Sequence, residues 1–568
     1  MKKRNYILAL IPVLMFLLFF TFFAVAFPKT DDIIINNFLV HLFDFHGLAK
    51  WSYWFEQYNG HRILTTKALF YLSEVVFGTV KYRLIMLLGL FSLLTVPYAL
   101  FRIKHTTHDK PLLILIASVL LFFPAHYENQ LWAMASVQNF VVVAAMVLSI
   151  YFLVTDKWIT AICLGLFAIG TSMPALILLV SGAILLLLLR NFKVLGIWVL
   201  LFGATAGLYM MFHEKPEIGQ SSQDIVQKFT LLATYTNFLK LPSMMINDEG
   251  KLLGIFFIVM GTAFYLLYAI MGLRVLFVKQ KNNAANLFFF GISTTAFGVM
   301  LLTLFTRDSM NLSRYMVYPA LFDLGILGYF VSKLKLNKLL LQATLLVWLA
   351  FGYFHYLPDY YNTKMANIAT AVEFKLNDNF RFYGEVKTRD LPLNDGVVNE
   401  RSVHWTKGLN GFYFDHLLIF NTFYEASLQK ELHQYPAYVN EIAKAIERMP
   451  IEAPRTSKVP FSYPVLKLPA HKGQMNVFED IGLYTFIGKN NRQIEAMNIT
   501  KNTLLAFLSS RNYVNTYAEQ SMHVGRLSAD TYQSGVLMAN KTGELKNQYR
   551  LFDFTLLIDQ NTKESIQP

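Results

Sequence analysis

Eleven long apolar runs, all within the first 357 residues, limit what this chain can fold into. A bilayer core takes about 20 apolar residues as a helix, because no water is present there to satisfy the backbone. The runs fall roughly at 6–27, 84–101, 111–124, 138–154, 158–172, 174–190, 194–212, 252–273, 284–306, 315–332 and 338–357, and each reads as a spanning helix. The fifth and sixth are separated only by Gly170-Thr171-Ser172-Met173-Pro174, so they also read as one broken or re-entrant element. Composition agrees: 55% of the residues are hydrophobic and 15% charged, a balance that a single soluble domain would struggle to keep in solution.

The charge pattern sets an orientation. Lys and Arg outnumber Asp and Glu by 50 to 37, for a net charge of +13, which in a soluble protein would suggest nucleic acid. Here the cations cluster in alternate connections between apolar runs: Lys2-Lys3-Arg4, Arg102 with Lys104 and Lys110, Lys157, Arg190 with Lys193, Arg274 with Lys279, and Lys333 with Lys335. Such clusters are retained on the cytoplasmic side, so the expected topology has the N-terminus inside and, after eleven spans, the C-terminus outside. No nucleic-acid partner is expected. Ala24-Val25-Ala26 has the look of a processing site, but the preceding apolar stretch is longer than a signal peptide needs, which favours an uncleaved span.

Residues 358–568 contain no spanning run and read as a soluble extracytoplasmic domain of about 210 residues. Helices are expected at 426–434 and 439–448, and strands at 504–508 and 549–557, an α+β composition with turns at Asn394-Asp395-Gly396 and Lys489-Asn490-Asn491. Cys163, the single cysteine, lies inside an apolar run, so the chain folds without an intrachain disulfide.

Polar residues concentrate in the connections assigned to the outer face, at 28–83, 124–137, 213–250 and 307–314. Asp31-Asp32 follows the first span; paired carboxylates suit a general base or a metal ligand, or form a solvated acidic helix end. Trp51, Tyr53 and Trp54 precede Glu56-Gln57-Tyr58-Asn59-Gly60-His61-Arg62. A segment follows in which Leu64, Ala68, Leu72 and Val76 recur every four residues, with Arg62, Thr65, Thr66 and Ser73 turned away, as in an interfacial helix. His61 and Arg62 at its start suit a phosphate or face lipid head groups. In the second connection Glu128, Asn129 and Trp132 offer an acid, an amide and a stacking ring, which suits a sugar or caps two helices. Arg314, entering the tenth span, reaches a lipid phosphate, pairs with Asp308 or snorkels to head groups.

Several functions are excluded or disfavoured. The chain has no phosphate-binding Gly-rich loop, dinucleotide glycine pattern or His-Glu-x-x-His helix. Ionisable residues are sparse within the runs, unlike the proton and ion relays of coupled transporters.

In sum these motifs resemble the GT-C class of multi-spanning glycosyltransferases, which use polyprenyl-phosphate-linked sugars outside the cytoplasm. The resemblance covers residues 1–357 and rests on Asp31-Asp32, the Glu56 to Arg62 stretch, Pro124-Ala125-His126-Tyr127-Glu128-Asn129-Gln130-Leu131-Trp132, and Ser313-Arg314-Tyr315. It implies a GT-C-like helical domain and a bacterial cytoplasmic membrane location. It implies that Asp31 or Asp32 deprotonates an acceptor hydroxyl or helps hold a divalent cation, Mg or Mn, with Glu128 as a second-loop acid. His61, Arg62 and Arg314 would hold the donor phosphate, and Glu56, Asn59, Asn129 and Trp132 the substrate. The partners implied are the polyprenyl-phosphate-sugar donor, membrane lipids and an extracytoplasmic glycan, lipid, wall-polymer or protein acceptor. A glycan polymerase or ligase and a transporter or flippase are the competing readings.

Overall fold

The computed structural model describes residues 2–24, 62–78, 80–103, 110–211, 232–244, 251–277, 283–306, 313–331 and 338–376, single positions between 29 and 57, and six strands between 465 and 558. The described chain is mostly helical, and it divides into two compact units. The first holds residues 1–24, 46–72 and 81–356; the second holds 25–45, 73–80 and 357–568.

Each expected span overlaps a helix. Among the described residues, eight helices are long and apolar enough to cross a membrane: Tyr6–Phe23, Tyr82–Arg102, Lys110–Leu131, Ala133–Val154, Phe192–Tyr209, Gly254–Phe277, Ala284–Leu304 and Lys338–Leu357. Trp158–Thr171 and Met173–Leu189 are apolar but shorter, and the segment expected at 315–332 is the 15-residue helix Val317–Val331. Ser172 is extended between the two short helices, so the turn read from Ser172-Met173-Pro174 is a true break.

Burial divides these helices into central and peripheral ones. Lys110–Leu121 and Val317–Val331 are buried almost all round and pack on each other. Helix Lys2–Phe23 packs on the first of these and helix Ala284–Thr306 on the second. By contrast, Ile7, Leu10, Leu14 and Leu18 on one helix, and Ile255, Val259, Leu266 and Leu273 on another, are each more than half exposed. Stripes of large aliphatic side chains at helical spacing need an apolar solvent, which a bilayer supplies. The fold is therefore compatible with a multi-pass membrane protein.

Small residues bring helices into direct contact where they cross. A Cβ at Gly261 would run into the backbone carbonyl of Leu239, and one at Gly89 would strike Ser136. The Ser136 hydroxyl donates to the Met86 carbonyl at 2.9 Å, which ties helix Tyr82–Ser92 to the turn at 136–141.

The helix starting at Lys338 runs on to Leu376, through Pro358. The expected boundary at 357 thus falls inside a helix: the end of an apolar run marks where the surrounding solvent changes, not where helical hydrogen bonding stops. In the second unit the strands are β1 (Val465–Leu468), β2 (Ile481–Lys489), β3 (Gln493–Asn498), β4 (Gln520–His523), β5 (Asp530–Asn540) and β6 (Leu545–Ile558). They form an antiparallel four-stranded sheet of order β3-β2-β5-β6 and a separate pair β1-β4. The strand expected at 549–557 lies within β6. The expected helices at 426–434 and 439–448 and strand at 504–508 lie outside the described residues, as does most of 213–250.

Candidate functional site

Two non-helical breaks meet where the central helix pair ends. Helix Lys110–Leu121 is followed by a 3-10 turn, Pro124–His126, and by the short helix Tyr127–Leu131. Trp132 then adopts extended backbone, and after one helical turn the chain widens into a π-helical turn at Ser136–Val141. Interrupted helices and π turns leave backbone groups without their usual partners, so side chains must supply them. Across from this segment, the turn Ser313–Tyr315 leads into helix Val317–Val331.

Side chains join the two breaks bond by bond. The Ser313 hydroxyl donates to the Ala125 carbonyl at 2.7 Å and accepts the Glu128 N–H at 3.1 Å, capping the first turn of helix Tyr127–Leu131 from a distant part of the chain. In return, Oε2 of Glu128 accepts the Arg314 N–H at 3.2 Å. The Asn129 amide donates to the Arg314 carbonyl at 2.8 Å, so both backbone polar groups of Arg314 are held by adjacent residues. The geometry is that of a capping box made between two segments instead of within one helix.

The Arg314 side chain is held differently. Its guanidinium carbon lies 5.6 Å from the Trp132 ring centroid and 5.3 Å from that of Tyr315, within cation–π range of both. Its Nε is buried with no hydrogen-bond partner, and among the described residues the guanidinium meets no carboxylate. A half-buried guanidinium carried on rings, with its Nε unpartnered among the described residues, is suited to bidentate recognition of an anion such as a phosphate.

The expected site residues separate into four groups. Glu128, Asn129, Trp132 and Arg314 come together as just described. Arg62 is engaged elsewhere in the same unit: its N–H donates to the Tyr209 hydroxyl at 3.1 Å, its guanidinium lies 5.7 Å from that ring, and Nη1 donates to the Phe55 carbonyl. Asp31, Glu56, Asn59 and His61 lie outside the described residues. Asp32 belongs to the second unit and is fully buried; its Oδ2 accepts the Lys29 N–H at 3.0 Å while its own N–H donates to the Lys29 carbonyl at 2.8 Å. Its burial departs from the solvated helix end that was the alternative for the acidic pair.

The helix after Arg62 is present at Leu64–Phe77, and Leu72 and Val76 lie on a different side from Thr66 and Ser73, as expected; the polar side, however, is buried in the protein instead of facing solvent. Thr66, Lys67, Ser73 and Glu74 are buried, whereas Leu72 and Val76 are more than half exposed. Some of the polar groups on this side find partners: Thr65 and Thr171 hydroxyls lie 2.7 Å apart, and Lys67 Nζ donates to the Trp54 carbonyl at 3.3 Å, whereas the buried Thr66 hydroxyl has none among the described residues. Leu72 and Val76 thus face outward, as the apolar side of a helix against lipid does.

Among the described residues no group of three or more His, Cys, Asp or Glu side chains could hold a metal ion, so they offer a divalent cation no ready-made site. Sequence reasoning also passed over Tyr315 as a second ring under Arg314, the Asn139 amide, and Asp323, a buried acid in helix Val317–Val331 whose Oδ1 has no hydrogen-bond partner. The Ser-Arg-Tyr order was the available signal for the first, and an acid inside an apolar run for the last. No family model, no curated protein and no solved structure matches this chain.

Proposed function

We propose that this chain is a membrane glycosyltransferase that moves a sugar from a polyprenyl-phosphate-linked donor to an acceptor outside the cytoplasm. In this reading it crosses a bacterial cytoplasmic membrane eleven times with its N-terminus inside, and residues 358–568 form the outer soluble domain. One observation carries the reading: Arg314, fixed through its own backbone by Glu128 and Asn129, presents beside Trp132 and Tyr315 a guanidinium whose buried Nε has no hydrogen-bond partner among the described residues.

The chemistry follows from that placement. As the acceptor oxygen attacks the sugar's C1, the bond from C1 to the phosphate oxygen breaks and negative charge grows on the departing polyprenyl phosphate. A preorganised cation at that oxygen stabilises the transition state more than the ground state, an effect worth several kcal/mol. The acceptor's proton passes to a carboxylate, and the resemblance gives this role to Asp31 or Asp32. Glu128, with one oxygen on the Arg314 N–H, acts here as a positioning residue.

The test is transfer of radiolabelled sugar from polyprenyl phosphate by the full chain in detergent, alongside Asp31→Asn, Asp32→Asn and Arg314→Gln. Loss of transfer in Arg314→Gln and Asp31→Asn supports the reading; full transfer by either overturns the role given to that residue. Lipid movement in vesicles by the same variants, without transfer by the wild type, would replace the enzyme with a flippase.

A further inference from the structure

The backbone of Arg314 is held by Asn129, and the orientation of Asn129 is itself imposed from one layer deeper. The Asn139 Nδ2 group donates one N–H to the Asn129 Oδ1 at 2.9 Å and the other to the Ala135 carbonyl at 3.0 Å. Both neighbours are acceptors, so the Asn139 amide has only one satisfying orientation. With its oxygen taken, Asn129 must turn its own NH2 toward the Arg314 carbonyl, which it meets at 2.8 Å. The amides thus form a directed relay from Ala135 to Arg314. Asn129 is fully buried and Asn139 nearly so, which keeps water from substituting for either bond.

The π turn puts Asn139 where it can do this. Residues 136–141 are wound one residue wider than an α-helix, and Asn139 within this stretch bonds back to the Ala135 carbonyl through its side chain. The turn is anchored independently by the Ser136 hydroxyl on the Met86 carbonyl, and the lack of a side chain at Gly89 lets the two segments touch.

We propose that Asn139, acting through Asn129, is a positioning residue that sets the orientation of the Arg314 guanidinium for an anionic phosphate ligand. The proposal rests on the phosphate-binding reading of Arg314 and adds to it the residues that make that cation preorganised. Neither amide touches the phosphate; their contribution is to fix the peptide on which the guanidinium stands. Loss of the relay frees Asn129 to flip, which places two carbonyl oxygens against each other at Arg314 and moves the turn.

The experiment titrates farnesyl phosphate onto the full chain in detergent, with thermal midpoints measured on the same samples. The proteins are wild type, Asn139→Ala, the similarly branched but apolar Asn139→Leu, Arg314→Gln and the Arg314→Gln/Asn139→Ala double variant. Losing one buried hydrogen bond of the relay is expected to weaken probe binding about fivefold in both Asn139 variants. In the Arg314→Gln background the further effect of Asn139→Ala should stay within about twofold, because the residue acts only through that cation. A general loss of structure would instead lower binding equally in both backgrounds.

Outcomes separate the two claims. Equal binding by wild type and Arg314→Gln overturns the phosphate reading and the relay with it. Loss in Arg314→Gln with wild-type binding by both Asn139 variants overturns the relay alone. Should either Asn139 variant fail to fold, the same titration is run on Asn139→Asp, whose carboxylate cannot donate to the Asn129 Oδ1; unchanged probe binding there overturns the relay.

Discussion

The backbone N–H of Arg314 donates to the Glu128 carboxylate at 3.2 Å although 186 residues of chain separate the two. The Ser313 hydroxyl returns the contact by accepting the Glu128 N–H, so each segment caps the other. Glu128 therefore has a job that requires an acceptor oxygen but not a negative charge.

This separates a positioning role from an acid–base role. Glu128→Gln keeps an oxygen for the Arg314 N–H and is expected to bind farnesyl phosphate within about twofold of wild type, whereas Glu128→Ala should bind about fivefold or more weakly. Sugar transfer should follow the same order. If Glu128→Gln binds the probe normally yet abolishes transfer, the carboxylate takes part in the chemistry itself.

The rings under Arg314 make a second expectation. Tyr315→Phe retains the face that carries the guanidinium and should leave phosphate binding near wild type, while Tyr315→Leu removes a contact worth about 0.5–2 kcal/mol. Arg314→Lys should rescue little, since an ammonium neither stacks between rings nor bonds a phosphate bidentately. Affinities from the same titration check both; equal binding by the Lys and Arg forms would mean that charge alone matters.

Much of this was legible in the sequence, and the reasons are physical. The apolar runs gave the positions of the helices because the need to satisfy backbone groups in lipid leaves few alternatives. The Glu128, Asn129, Trp132 and Arg314 set was legible because polar groups at the ends of apolar runs are costly without a use. What was not legible is long-range pairing: nothing local says that Ser313 caps a helix at Glu128, or that Asn139 orients Asn129. The two sides of helix Leu64–Phe77 were legible from its spacing of four, but not that Thr66 and Ser73 on the polar side pack inside the protein, because local spacing does not say what covers a polar face.

Asp323 supplies a stability prediction. It is buried in helix Val317–Val331, and one carboxyl oxygen has no partner. An unsatisfied buried polar group costs about 1–3 kcal/mol, so Asp323→Leu should raise the thermal midpoint of the purified protein if the residue has no ligand. A lower midpoint, or loss of transfer at unchanged midpoint, would assign this acid a working role.

Helix crossing at Gly261 supplies another. Because a Cβ there would collide with the Leu239 carbonyl, Gly261→Ala must push helix Lys251–Phe277 away from helix Leu232–Lys240. Overpacking against backbone is expected to cost about 1–3 kcal/mol, seen as a lower midpoint in detergent. Gly203→Ala, which has open space around it, should leave the midpoint unchanged. Equal behaviour of the two would contradict the close approach.

The position of a bound lipid phosphate decides between these roles, and a cryo-EM map of the full chain in nanodiscs with undecaprenyl phosphate reads it directly. The expected density places the phosphate within about 3 Å of the Arg314 guanidinium nitrogens, the distance of a charge-assisted hydrogen bond, with the isoprenyl chain leaving toward the bilayer. Phosphate density at Arg62, or ordered lipid elsewhere with Arg314 untouched, would contradict it.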